Sequence, residues 1–131
     1  MKTRVLLYFS LTLIIIYFFG CRSASEIENR TEGFNGGKLR ICIRINQTDI
    51  PGEYKNDNHD YMMIMGERRA VKLLESYIII NSGDADGRGV WLSKIPDVMK
   101  QAKLICDDCN DDYCEAFIDY DAGALKEIIG K

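Results

Sequence analysis

Residues 39–46, LRICIRIN, decide the fold of this chain. Leu39, Ile41, Ile43 and Ile45 alternate with Arg40, Cys42 and Arg44. A period of two places the four aliphatic side chains on one face of an extended strand and the polar ones on the other. Such a half-buried strand belongs to a sheet with one face covered and one face wet. The two arginines are either an anion patch or the solvated side of that sheet, and the second reading asks for nothing beyond ordinary exposure.

Upstream, Gly36-Gly37 closes the polar stretch RSASEIENRTEGFNGGK, in which only Ile27 and Phe34 are sizeable apolar groups. It cannot bury enough surface to offset the entropy of ordering, so residues 21–38 read as a flexible tether. Ahead of it, Val5–Phe19 is uncharged over 15 residues and follows Lys2 and Arg4. As a helix it spans about 22 Å at 1.5 Å per residue, short of the roughly 30 Å of a bilayer core. A basic start, a short apolar run and a small residue at its end predict an export signal over residues 1–20. The boundary Phe18-Phe19-Gly20-Cys21 resembles the lipobox of bacterial lipoproteins. That resemblance implies cleavage before Cys21, a diacylglycerol on its thiol and a further acyl chain, such as palmitate, on the new amino terminus. Two chains hold a protein at a membrane where one gives only marginal residence. The expected partner of this end is therefore membrane lipid, on the extracytoplasmic side of the cell envelope.

An ordinary cleaved secretory signal and an uncleaved short anchor are the alternatives. Asn29-Arg30-Thr31 and Asn46-Gln47-Thr48 fit the glycosylation pattern that would go with secretion. Cysteine parity favours the lipid. Of five cysteines, setting Cys21 aside leaves Cys42, Cys106, Cys109 and Cys114, an even set suited to an oxidising compartment. Loss of residues 1–20 removes Lys2 and Arg4 and no acid, taking the net charge from −3 to −5. An acidic exported domain of 111 residues has room for one core and no basic face for nucleic acid.

Downstream of the first strand, Gln47–Asp60 is polar and turn-rich. His59 is the only histidine and sits between Asp57 and Asp60, which invites a metal or acid–base role. Metal sites need several ligands in fixed geometry, so a solvated loop histidine is the plainer reading. A single histidine also removes the easiest routes to Ser-His or Cys-His nucleophiles. Tyr61–Met65 reads as a strand, and the methionines Met62, Met63 and Met65 either form an adaptable binding face or, as is commoner for methionine, fill the core. Gly66–Ser76 has helix propensity, yet Val71, Leu73 and Tyr77 also keep strand alternation. The sequence favours a hairpin turning near Gly66, with a long strand from about residue 69 to 81. Counted as a calcium loop from Asp84, the segment NSGDADGRG fails, because Arg88 and Ile95 stand where oxygen ligands are required. A loop into a Val90-Trp91-Leu92 strand is expected there. Trp91 either joins the core or offers a stacking platform. Ser93, Pro96 and Asp97 then open an amphipathic helix, with Ile95, Val98, Met99, Ala102 and Ile105 on its apolar face up to Cys106.

Cys106–Cys114 reads CDDCNDDYC. A redox Cys-x-x-Cys wants a depressed thiol pKa, and Asp107, Asp108, Asp111 and Asp112 push the other way. A four-cysteine zinc site lacks its second knuckle. Structural disulfides remain, guessed as Cys106–Cys114 with Cys42–Cys109, so that one bridge runs from the first strand to this loop. Closing more than about 60 residues would be worth on the order of 4 kcal/mol. Asp107–Asp121 holds seven acidic and no basic residues, a docking face, a weak cation site or simply a solvated loop. Tyr113–Tyr120 is expected to be a strand, Asp121–Gly123 a turn, and Ala124–Ile129 a short closing element.

The order from Tyr61, with Asn81-Ser82-Gly83 and a late Ile118-Asp119-Tyr120-Asp121 before Gly123, resembles a family of small exported bacterial domains of unknown function. In that family a strand ending in Asn-Gly precedes a short helix, and a Tyr-Asp strand followed by glycine closes the domain. The resemblance implies an exported architecture and no catalytic residue. The expectation is an α+β domain over residues 39–131, an antiparallel sheet of four to six strands with one main helix packed on one face, disulfide-stapled. It is read as the domain of an envelope lipoprotein that binds a partner protein, without catalysis, metal or cofactor. Possible contact residues are Asp107, Asp108, Asp111, Asp112 and Trp91. The alternatives are a small secreted hydrolase inhibitor or metal-binding protein using the acidic cysteine loop, and, as the rival class, a hydrolase or metal-binding protein using His59 or the carboxylates.

Overall fold

A computed structural model describes residues 32–83 and 85–129 of the chain. The expected signal over residues 1–20, lipid carrier Cys21 and tether as far as Thr31 lie outside the described residues. The fold is α+β. Strands β1 (Gly33–Asn35), β2 (Lys38–Asn46), β3 (Ala102–Cys109) and β4 (Tyr113–Asp121) form an antiparallel sheet in the order β1-β2-β4-β3. Between β2 and β3 come helices α1 (Asn58–Asn81), α2 (Ala85–Leu92) and α3 (Ile95–Met99), and α4 (Lys126–Ile129) closes the chain.

The first strand behaves as its alternation dictates. Leu39, Ile41, Ile43 and Ile45 lie opposite Tyr120, Ile118, Ala116 and Cys114 of β4, and this face meets α1. Gly36 and Gly37, at φ +58° and +93°, make the two-residue turn of a hairpin that begins at Gly33, ahead of the expected boundary at 39. Part of the expected tether is thus an edge strand.

The main helix is not the one expected. Residues 61–65 and 69–81, read as strands with a turn at Gly66, are one 24-residue helix capped by Asp57, whose side chain accepts the amide of Asp60 at 3.2 Å. Its buried row is Met62, Gly66, Ala70, Leu74 and Ile78, each four residues from the last. Gly66 and Ala70 carry almost no apolar side chain, so the stripe is faint in the sequence. Their smallness is what lets the helix lie close on the sheet, since a Cβ at Gly66 would run into Ile118 Cδ1. The helix expected over 95–106 also differs. Only Ile95–Met99 is helical, with Ile95 and Val98 buried, and Ala102–Cys109 is β3. A bulge between Leu104 and Cys106 leaves Ile105 as the extra residue, so Leu104 opposes Ile118 while Cys106 opposes Phe117 on the other face. That slip destroys the period of two and leaves a pattern that matches a helix. Val90-Trp91-Leu92 is the end of α2, not a strand, with Trp91 and Leu92 packed against the core.

On the face away from α1, Arg40 grips Asp119 with two hydrogen bonds of 2.7 Å, and Asp119 is 9% exposed. The two are register partners across β2 and β4. Arg40 is therefore neither an anion site nor solvated, and its pKa is raised, first by this hydrogen bond. Beside it, Phe117 packs with Cys42, Ile105 and Cys106.

Candidate functional site

The cysteine pairing differs from the guess. Cys109 and Cys114 face each other across the β3–β4 hairpin and are bonded to one another. Cys42 holds a thiol, so no bridge joins β2 to this loop. The reason is local. Cys42 points to the outer face, opposite Phe117, while Cys114 points inward opposite Ile45. Burial first, then the charge of Glu32, pushes the Cys42 thiol up from 9.0 to about 11.

The acidic side chains of the hairpin are exposed. Asp107 Oδ2 lies 2.9 Å from His59 Nδ1, so the lone histidine at the start of α1 pairs with the cysteine loop. This hydrogen bond, above all, raises the His59 pKa. The Asp112 carbonyl accepts the Gln47 amide at 2.9 Å, tying the hairpin tip to the end of β2. Asn110 Oδ1 accepts the amides of Asp112 and Tyr113 and shapes the turn. Trp91 sits apart on α2 with Lys94 Nζ 4.3 Å from the centre of its ring, so one face is already occupied by a cation. The structure brings His59 to Asp107 but joins Trp91 to none of the acids. Among the described residues no three His, Cys, Asp or Glu side chains gather as a metal-holding group. Among them, too, no helix is long and apolar enough to cross a membrane.

A larger concavity among the described residues lies on the other edge of the sheet. β1 pairs with β2 only through Lys38, Leu39 and Arg40. Beyond that, Glu32 Oε2 accepts the Cys42 amide at 3.1 Å while the same carboxylate holds Arg69 Nε of α1 at 2.7 Å. Backbone groups of alternate residues in a strand point to the same edge. Arg44, two beyond Cys42, therefore turns its N–H and C=O outward on that edge, where no described strand meets it. This open edge and α1 form the two walls of a groove of about 1030 Å³. Ile43, Ile45, Ile64, Met65 and Val71 give it an apolar floor; Arg44, Arg68, Arg69 and Lys72 outnumber Glu67 and Glu75 on its rim. Arg44 also lies 3.8 Å from the centre of the Tyr113 ring, which holds it at the lip. Sequence reasoning missed these groove residues because it laid 69–81 out as a strand. The signal was present in the N-cap Asp57 and the four-residue spacing from Met62 to Ile78.

No protein-family model matches this chain, and no curated protein or solved structure matches it either.

Proposed function

We propose that this chain is a membrane-anchored envelope lipoprotein, acylated at Cys21, whose domain is a non-enzymatic binding module for a partner protein of the envelope. The partner enters as an extended segment that adds a strand to the open edge of β2. The observation that carries this is the groove itself, with a strand edge that no described strand meets on one side and a helix on the other. Backbone hydrogen bonds along such an edge supply affinity, and alternate side chains of the guest fill the apolar floor to supply selectivity. The basic excess on the rim favours acidic residues in the guest. The Cys109–Cys114 disulfide supports an oxidising compartment, and the signal with its terminal cysteine supports the anchor.

A synthetic heptapeptide alternating valine and glutamate is the probe. Added to the ¹⁵N-labelled protein, it should shift the amides of residues 43–46 and give intermolecular backbone NOEs to β2. Charge reversal by R68E with K72E should weaken it about tenfold, as loss of charge-assisted contacts would. Shifts spread over the acidic hairpin instead, or a titration indifferent to the reversals, would remove the groove from the account. Mass spectrometry of the mature amino terminus tests the anchor separately, and an unmodified Cys21 thiol would end that half of the proposal.

A further inference from the structure

We propose that a second cavity, between the first half of α1 and the α3–β3 connection, binds a small organic ammonium ion, a primary amine carrying a short apolar group. The site shares Ile64 and Glu67 with the groove but needs no strand addition.

Tyr54, Asp60, Met63, Glu67, Met99 and Tyr120 line this cavity of about 420 Å³. Tyr120 is 1% exposed, and its hydroxyl has no hydrogen-bond partner among the described residues. Buried hydroxyls are nearly always bonded, so an orphan one that lines a cavity marks a missing occupant. Its position follows from the packing of α1, since Gly66 lets the helix close over Tyr120 with only 3.4 Å between a hypothetical Cβ and the hydroxyl. Burial first, then Glu67, pushes the Tyr120 hydroxyl up to about 12, so it stays neutral.

The remaining chemistry selects the occupant. Two carboxylates and no basic residue line the cavity, which excludes an anion. An ammonium carries three N–H donors and no acceptor. The Tyr120 oxygen and the carboxylates of Asp60 and Glu67 can accept all three. Met63 and Met99 give an adaptable apolar wall for the carbon chain, and the Tyr54 ring offers a face that attracts cations. A bare divalent ion would find two carboxylates and soft thioethers, a poor set for a hard cation. One water molecule would satisfy the hydroxyl but would leave no reason for apolar walls beside two acids.

The test is a titration of the full chain in detergent micelles, with ¹³C-methyl methionine labelling, by n-butylammonium, n-butanol and butyrate. Butylammonium should shift the Met63 and Met99 methyls saturably, butanol should bind at least about tenfold more weakly, and butyrate should not bind. D60N with E67Q, both on exposed positions, and separately Y120F, should each weaken butylammonium by about tenfold or more. Butanol saturating the same methyls as well as the amine would overturn the proposal. So would affinity unchanged by D60N with E67Q, or the absence of any saturable shift.

Discussion

Replacing Gly66 by alanine tests the contact on which the fold turns. In a helix interior, alanine in place of glycine stabilises by about 1 kcal/mol. Here the added methyl meets Ile118 Cδ1, on a side chain that is itself fully buried. Forcing an extra carbon into a packed core costs about 1–3 kcal/mol. The overpacking wins, and G66A should lose about 1 kcal/mol net. I118V removes the offending methyl at a cost of about 1 kcal/mol by itself. In that background the new Cβ faces the Tyr120 hydroxyl at 3.4 Å and Ile118 Cγ1 at 3.7 Å, close to ordinary contact. The propensity gain then survives, and the two changes should couple by about 2 kcal/mol in the favourable direction. Equilibrium urea unfolding, followed through the single tryptophan, Trp91, measures all four proteins. A Gly66 at a hairpin turn would have no such dialogue with Ile118. Additivity within about 0.5 kcal/mol, or a G66A protein more stable than the parent, would refute the helix-on-sheet packing.

Other changes have equally definite outcomes. C109A with C114A opens a ring of about six residues and should cost about 2 kcal/mol in urea unfolding; a loss of 4 kcal/mol or more would contradict so short a ring. D119A removes two charge-assisted hydrogen bonds of 2.7 Å from the half-buried Arg40 guanidinium and should cost about 2–3 kcal/mol, whereas D97A, which breaks the exposed pair with Lys100 at 3.2 Å, should cost under about 0.5 kcal/mol. The Cys42 thiol titrates at about 11 against 9.0 when unpaired by structure, so the unfolded chain releases its proton first. Its contribution to stability is complete below pH 9.0 and is lost as pH rises towards about 11, which pH-dependent unfolding and alkylation rates can both follow. His59 is raised by its bond to Asp107, so that pair stabilises fully below the ordinary histidine range and fades as pH rises through the folded value; D107N should return the imidazole titration towards 6.5 by NMR.

The strands that pair over their whole length were legible, and the elements that misled did so for physical reasons. LRICIRIN and Tyr113–Asp121 obey the period of two because β2 and β4 sit side by side in the sheet, with nine consecutive register partners and no slip. β3 hides its period behind one bulge, and the residues on either side of it then imitate a helix face. α1 hides for the opposite reason. A helix that must lie close to a sheet is buried through glycine and alanine, so the large apolar residues that a reader counts, Val71, Leu73 and Tyr77, are its half-buried flanks. The class α+β survives both errors, because either assignment supplies a sheet and one long covering helix. The groove proposed here was not legible in that assignment. Asp107, Asp108, Asp111 and Asp112 were visible as a charge run, whereas the groove exists only where a helix on one side and a strand edge on the other are brought together by folding.

The two edges of the sheet argue for where a partner binds. An exposed strand edge invites pairing with any passing chain, and sheets blunt it with charges, bulges or cover. β3 has all three. Lys103, Asp107 and Asp108 line it, the bulge interrupts it at Ile105, and His59 reaches across from α1 to Asp107. The opposite edge is treated unevenly. β1 covers Lys38–Arg40, the Glu32 carboxylate stands in for a strand at Cys42, and from Ile43 to Asn46 no strand among the described residues covers the edge. That stretch is where α1 supplies an apolar wall and a basic rim beside the strand. A fold that guards one edge so fully, and beside a shaped groove leaves four residues of the other without a described partner strand, supports the proposal that a guest strand binds there. If R44P, which removes the outward amide at an edge position that tolerates proline, leaves the fold intact yet leaves the valine–glutamate peptide bound as before, this argument fails at its root.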